Sequence, residues 1–134
     1  MLKMMKRKMA VPAEHAPALH TETIDGIVRA IGYKVVTRDM KSLGLRRNPN
    51  ILTYKLGEWY FLPESEVHEG PEDWGGIWVA RALSGATTLQ KYMKSQYNRE
   101  TRIFKSAIDS VLYHNSYRTK TNGVLLLEEI ARPK

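Results

Sequence analysis

The sequence contains no cysteine among its 134 residues, and it has no long apolar run. The absence of cysteine excludes disulfide bonds, thiolate zinc sites and cysteine nucleophiles. No apolar stretch approaches the roughly 20 residues that a membrane-spanning helix requires. The basic start at 1–9 is followed by prolines and a glutamate rather than by the apolar segment of a secretory signal. We therefore expect a cytoplasmic protein that does not enter a membrane.

Motifs for catalysis or cofactor binding are also missing. The sequence has neither a Walker loop nor a dinucleotide-binding glycine fingerprint. Its four histidines are scattered, and no two of them have the spacing of a His-x-x-x-His metal pair. His114 has no carboxylate or second histidine at a catalytic spacing. The sequence therefore predicts no metal site, no cofactor and no catalytic residue, and it leaves open whether the protein is an enzyme.

The composition is that of a folded domain. Hydrophobic residues make up 43% of the chain and charged residues 26%, close to the usage of ordinary globular proteins. A chain of this length fits one domain. Two prolines and several lysines in 1–18 interrupt any regular element there and predict a flexible, disordered basic arm. The single folded domain is expected to span 19–134.

Apolar spacing predicts two main helices. In 21–31, isoleucine and valine recur at the three-and-four spacing of one helix face, although a β-branched strand through 27–36 is the alternative. The second helix, over 84–98, places Ala86, Leu89, Met93 and Tyr97 on one face. We expect both helices to pack against the sheet.

The remaining segments predict a mixed sheet. Strands are expected at 33–37, 77–80, 101–107 and 124–127, where apolar and β-branched residues are concentrated. Residues 51–54 and 58–62 have the pattern of a hairpin, and 109–114 that of a helical turn. The sequence therefore predicts an α+β fold: a mixed β-sheet packed against two main helices.

The net charge of +7 is unevenly distributed. Segments 29–47 and 81–105 are basic, whereas 55–73 is acidic. Such alternation favours a basic surface with an acidic segment beside it, or equally a solvated exterior that keeps the protein soluble.

A loop over 41–50 contains the first cluster that suits a phosphate. Arginine matches phosphate oxygens bidentately, and small polar neighbours add hydrogen bonds. The alternative is that these arginines pair with the acidic segment at 63–73 and close the fold. The predicted contacts in this loop are Lys41, Arg46, Arg47 and Asn48.

A second polar cluster lies in 113–120, a segment with the composition of a ligand-contacting loop or of an ordinary surface hairpin. Trp78 and Tyr97 are expected in the core, whereas Trp59, Trp74 and Tyr117 are candidates for an exposed platform on which bases stack. Together with the polar face of the second helix, the cluster supplies the remaining predicted contacts with nucleic acid: Lys91, Lys94, His114, Tyr117, Arg118 and Lys120.

The order of a strand at 77–80, a helix at 84–98, a strand at 101–107 and a late strand ending in two glutamates is similar to the C-terminal part of ADP-ribosyltransferase-like domains. The resemblance covers less than half of the chain and does not extend to the serine or tyrosine motif of that family. In that family a late glutamate supports group transfer, and a histidine or arginine of an early strand holds the nicotinamide dinucleotide. The counterparts that the resemblance implies are Glu128 or Glu129, and His20 or Arg29.

These observations favour a noncatalytic module that binds nucleic acid or another polyanion. A small nucleotide-dependent transferase or hydrolase is the first alternative. A protein-interaction module that uses the acidic segment is the second. The sequence does not determine the ligand or the oligomeric state.

Overall fold

The computed structural model describes residues 11–12, 19–43 and 52–130 of the chain. Within these residues it contains nine β-strands, one α-helix and one short 3-10 turn at Glu64–Glu66. The elements in chain order are β1 Val11–Pro12, β2 Thr21–Ile24, β3 Ile27–Thr37, β4 Trp59–Phe61, β5 Ile77–Ala80, α1 Leu83–Tyr97, β6 Thr101–Ile108, β7 Ser110–His114, β8 Arg118–Thr121 and β9 Gly123–Ile130.

The strands follow the order β1-β7-β8-β5-β3-β6-β9-β4, and β2 pairs with the first part of β3. Every pair of named strands is antiparallel. Strands β5 and β6 both run antiparallel to β3, which lies between them, so they are parallel to each other. The segment from β5 through α1 to β6 therefore crosses over β3, as the predicted strand–helix–strand order allowed.

The predicted α+β fold with two main helices is wrong, because the described chain is predominantly an antiparallel sheet with a single α-helix. The error lies in 21–31. Asp25 and Gly26 both have positive φ angles, of 51° and 79°, which is the backbone of a tight hairpin turn. This turn joins β2 to β3, so the isoleucines on either side of it belong to two strands rather than to one helix.

Two smaller predictions are also wrong. Residues 110–114 form strand β7 rather than a helical turn, and Val111 and Leu112 are buried in it. Strand β4 pairs with β9, and Thr53 makes only an isolated bridge with Lys41, so 51–54 and 58–62 do not form a hairpin with each other.

The structure confirms the strands at 77–80, 101–107 and 124–127 and the second helix. Asn98 ends that helix in the left-handed conformation, with φ 50°, and its backbone N–H donates to the carbonyl oxygen of Lys94. Within the predicted arm, Val11–Pro12 pair with β7, and the rest of 1–18 lies outside the described residues. Among the described residues, no helix has the length and apolar character needed to cross a membrane.

Strands β6 to β9 form one long hairpin that bends at Asp109 and Asn122. These two residues alone separate β6 from β7 and β8 from β9. The side chain of Asn122 donates from Nδ2 to Asp109 Oδ2 at 2.9 Å, and its Oδ1 accepts from the backbone N–H of Ser110 at 2.9 Å. Because of the bend, strand β6 of this hairpin pairs with β3, and strand β8 of the same hairpin pairs with β5.

The alternation of side chains along β3 divides the core between two faces. Ala30 and Val36 lie on one face, with Phe104 and Leu126, and are covered by residues of the segment 52–67. Val35 lies on the other face and packs against Ala86 of α1. Lys34 shares the first face with Ala30 and Val36, although its neighbours there are apolar.

Candidate ligand-binding site

A cavity of about 650 Å³ lies where β3 and β5 separate. Among the described residues, its walls come from both strands, from the first turns of α1 and from loop residues. The loop residues are Ser42, Leu43, Leu52, Tyr54, Leu62, Asp73, Gly75, Gly76, Tyr117 and Arg118. The volume falls within the range of roughly 300–1,000 Å³ that is usual for small-molecule sites.

The cavity exists because β3 and β5 pair at one position only, Tyr33 with Ala80. Beyond that position the strands diverge, and Lys34 Nζ donates a hydrogen bond of 3.0 Å to the carbonyl oxygen of Trp78. A side-chain donor therefore satisfies a strand carbonyl that faces the opened sheet.

Lys34 is an unusual cavity residue because it carries a buried positive charge. Only 8% of its surface is exposed, and its amino group lies 5.6 Å from the centre of the Tyr54 ring. Burial lowers the pKa of Lys34 from 10.5 to about 8, and no carboxylate among the described residues opposes that change. Among the described residues, the Trp78 carbonyl is the one hydrogen-bond acceptor of this amino group.

The wall beside Lys34 is otherwise apolar. Leu62, Ile77 and Val79 are buried there. Tyr54 is also buried, and its ring meets that of Tyr60 edge to face, with the centroids 5.7 Å apart. Burial raises the pKa of the Tyr54 phenol, so this hydroxyl stays protonated and can donate a hydrogen bond.

Charged and aromatic groups form the rim. The guanidinium of Arg118 lies 3.8 Å from the centre of the Trp78 ring and 3.4 Å from an Asp73 carboxylate oxygen. Trp78 Nε1 donates to the backbone oxygen of Asp73 at 3.0 Å. These contacts fix the rim, and Tyr117 beside it is 80% exposed.

The first turn of α1 also borders the cavity, through Ser84 and Gly85. Ala82 occupies the N-cap position, so no side chain caps the helix. The backbone N–H groups that form the positive end of the helix dipole therefore lie in the turn that lines the cavity.

Gly75 and Gly76 permit close backbone packing below the rim. The carbonyl oxygen of Gly75 accepts from the backbone N–H of His68 at 2.8 Å. A Cβ atom at Gly76 would lie 2.4 Å from Cγ of Lys120. The two glycines therefore make room for the backbone of His68 and the side chain of Lys120.

Lys120 itself is fully buried rather than facing solvent. Its amino group donates to the carbonyl oxygen of Gly70 at 3.2 Å and lies 5.8 Å from the centre of the Trp78 ring. Burial lowers the pKa of Lys120, while Glu72 and Asp73 act in the opposite direction.

Three other lysines predicted to contact nucleic acid are exposed, unlike Lys120. Lys41 is exposed and lies 3.7 Å from an Asp39 carboxylate oxygen. Lys91 and Lys94 are exposed on α1, and Lys94 pairs with Glu100 at 3.0 Å. The residues of the loop cluster, Arg46, Arg47 and Asn48, lie outside the described residues.

Two members of the 113–120 cluster, Tyr117 and Arg118, do line the cavity. His114 does not, and its ring Nδ1 is buried without a hydrogen-bond partner among the described residues. The expected exposure of Trp74 is confirmed at 53%. The expected burial of Tyr97 is wrong, because it is 52% exposed at the end of α1.

Trp59 and Trp78 are each half-buried beneath an arginine. The guanidinium of Arg29 lies 4.8 Å from the centre of the Trp59 ring, and that of Arg118 covers Trp78. Trp78 therefore belongs to the rim rather than to the centre of the core, and Trp59 offers only part of its surface to solvent.

The residues implied by the ADP-ribosyltransferase resemblance lie away from the cavity and are engaged elsewhere. Glu129 accepts two hydrogen bonds from Arg102, at 2.8 and 2.9 Å. Glu128 is exposed opposite Lys105. His20 lies 3.0 Å from Glu22, and Arg29 lies 2.9 Å from Asp109.

No protein-family profile, no curated protein and no solved structure matches this chain significantly. Its described residues form an antiparallel β-sheet with one α-helix, and the sheet opens around a buried lysine.

Proposed function

We propose that this protein is a noncatalytic binding module that holds a small, mostly apolar molecule between β3 and β5. The observation that carries the proposal is Lys34, a buried cation in the cavity wall with one uncharged hydrogen-bond acceptor. Ligand sites commonly combine an apolar lining with a few well-placed polar groups, and Lys34 with Tyr54 fits that description.

A purely structural role for Lys34 explains less. Burying a cation without a counterion lowers the free energy of unfolding, and an apolar side chain of similar length would fill the same space without this cost. Strongly perturbed titratable groups in clefts are more frequent at functional sites. A ligand that contacts the amino group would account for its retention in this position.

The lining does not favour catalysis. Among the described residues around the cavity, Asp73 is the one carboxylate, and it pairs with Arg118 at 3.4 Å. General acid–base chemistry needs a group that can exchange protons with a substrate near neutral pH. Lys34 could exchange a proton, but among the described lining residues Asp73 is paired with Arg118 and no imidazole is present as a second acid or base, so binding is the function that this geometry supports best.

A neutral fluorescent probe, N-phenyl-1-naphthylamine, tests the proposal. Ser84→Trp narrows the cavity from the first turn of α1, and Lys91→Trp places the same side chain on the exposed part of the helix, away from the cavity. We expect saturable binding to the wild type and to Lys91→Trp, and loss of binding in Ser84→Trp. Absence of binding to the wild type, or equal binding to all three proteins, would refute the cavity as a ligand site.

Polyanion or nucleic-acid binding in the cytoplasm is the second function that we propose. The supporting observation is Tyr117, which is 80% exposed and directly precedes Arg118 in the lining of the cavity. Exposed aromatic rings beside cations are the usual surface for stacking single-stranded bases. We expect Arg46 and Arg47 to contribute more to this function than the basic residues of 1–18, which a salt-dependent titration can test.

A further inference from the structure

We infer that the ligand of this cavity is an apolar monocarboxylate whose head group supplies the counterion that Lys34 lacks. The inference rests on the proposed binding function and specifies its ligand class. It follows from the charge, the hydrogen-bonding capacity and the surroundings of one side chain.

Lys34 has hydrogen-bonding capacity to spare. A lysine ammonium has three N–H donors, and the Trp78 carbonyl accepts from Nζ at 3.0 Å. No other acceptor for this group is present among the described residues. A carboxylate offers two oxygens, and a hydrogen bond between an ammonium and a carboxylate is roughly twice as strong as one between neutral groups.

The charges around the cavity leave an anion as the missing component. Asp73 already pairs with Arg118, so the carboxylate of the rim neutralises the guanidinium of the rim. Within the described part of the chain, the positive charge on Lys34 has no such partner. A bound anion would restore neutrality inside the cavity, whereas a cationic ligand would add a like charge in a poorly hydrated environment.

The remaining lining restricts the ligand to one charge and an apolar body. Val35, Leu62, Ile77, Val79 and Leu89 border the cavity. A second anionic group placed against these side chains would lose its hydration without a compensating partner. The geometry therefore favours a single carboxylate at one end of an aliphatic or aromatic body.

Binding of such an anion stabilises the charged form of Lys34, so protonation and binding are linked. The pKa of Lys34 is about 8 without a ligand. Affinity should therefore be greatest below that pH and should fall as the amino group loses its proton. The other titratable or charged groups that face the cavity among the described residues are Tyr33, Tyr54, Asp73, Tyr117 and Arg118.

The test compares octanoate with octanol, which has the same apolar chain but no charge, by isothermal titration calorimetry on the full chain at pH 7. We expect octanoate to bind at least about tenfold more tightly than octanol, the difference that one charge-assisted contact provides. In Lys34→Met this preference should disappear while octanol still binds. Lys34→Arg should retain the preference for octanoate, and Lys91→Met is the matched surface control.

A second titration at pH 9.5 should weaken octanoate binding to the wild type by about tenfold or more and leave octanol binding unchanged. Equal affinities for octanoate and octanol in the wild type would refute the carboxylate but leave the cavity as a binding site. An unchanged octanoate preference in Lys34→Met and in Lys34→Gln would have the same meaning. Failure of both octyl probes and of the naphthylamine probe would overturn the proposed function as well.

Discussion

The amino group of Lys34 donates to the carbonyl oxygen of Trp78 at 3.0 Å, just beyond the single position where β3 and β5 pair. A lysine side chain thus bridges two strands at a level where backbone hydrogen bonds have ended. The bridge leaves a cavity between the strands and a positive charge within it. Several measurable properties of the protein depend on this arrangement.

Stability should increase with pH above about 8. The pKa of Lys34 is about 8 in the folded protein and 10.5 when the side chain is solvated, so the unfolded chain binds more protons between these values. The free energy of unfolding therefore rises through this interval, by something on the order of 3 kcal/mol at 1.4 kcal/mol per pKa unit. Urea denaturation at pH 7 and at pH 10 measures the change.

Lys34→Met is the control for that prediction, because it keeps the length of the side chain and removes the charge. Its free energy of unfolding at pH 7 should equal or exceed that of the wild type, since the uncompensated charge is gone while one hydrogen bond to Trp78 is lost. Any advantage of the variant over the wild type should shrink as the pH rises, because only the wild type gains stability from losing the lysine proton. Parallel pH profiles for the two proteins would contradict a lowered pKa at Lys34.

Gly76→Ala should destabilise the protein by about 1–3 kcal/mol, because the new methyl group would overlap the buried side chain of Lys120. A Cβ atom added at this glycine would lie 2.4 Å from Cγ and 2.7 Å from Cε of that lysine. Gly85→Ala is the matched control: its added methyl has 3.6 Å of clearance and lies in a helix, where alanine is favoured by about 0.5–1 kcal/mol. Thermal and urea denaturation of both variants give the comparison.

The cause of the Gly76 effect can be isolated in a double-mutant cycle. In a Lys120→Ala background the overlap is removed, so Gly76→Ala should cost much less there than in the wild type. Equal costs in both backgrounds would mean that Gly76 is required for another reason.

Met93→Ala should cost roughly 2–5 kcal/mol, through lost burial and the space left behind. Met93 is 2% exposed on the face of α1 that packs against the sheet. Lys91→Ala, on the exposed side of the same helix, should change the free energy of unfolding very little. Similar losses in the two variants, measured by urea denaturation, would show that α1 presents another face to the sheet.

Polyanion binding, if the protein has it, should depend on Arg46 and Arg47 more than on the basic residues of 1–18. Each phosphate contact that is removed should reduce the magnitude of the salt slope by about one. The measurement is a titration of labelled single- and double-stranded oligonucleotides at several salt concentrations, with Arg46→Ala/Arg47→Ala compared with a deletion of 1–18. A wild type that does not bind at low salt would exclude the function, and loss of binding only in the deletion would move the site to 1–18.

Several elements were predictable because their signals are local. Runs of apolar and β-branched residues predict β5, β6 and β9, and the helical spacing of apolar residues predicts α1. The first hairpin was misjudged because four isoleucines and valines in 24–31 happen to match a helical spacing. The Asp25-Gly26 pair between alternating apolar residues was the stronger signal, since it favours a turn with two positive φ angles.

The candidate site was harder to predict because it depends on partners distant in the sequence. Alternation along β3 could have placed Lys34 on the same face as Val36, which would have marked it as an inward-facing lysine. Strand β5 pairs with β3 at one position and then diverges from it. This geometry depends on the path of the bent hairpin and of α1, which no local pattern encodes. Lys120 was assigned to a surface for the same reason, as composition alone does not show which strand positions become buried.

The bend of the hairpin at Asp109 and Asn122 has a consequence for the order of folding. Strands β6 to β9 are contiguous in sequence, so their pairing closes short loops, whereas β3 must find β6 across more than 60 residues, as the Thr37–Thr101 pair shows. We expect the bent hairpin to form first, β5 to dock next on β8 through its four pairs, and β3 to join last and close the cavity through its single bridge to β5. Pulse-labelling hydrogen exchange would then show early protection of the amides in β6 and β9, and the walls of the cavity would be the last part of the molecule to acquire it.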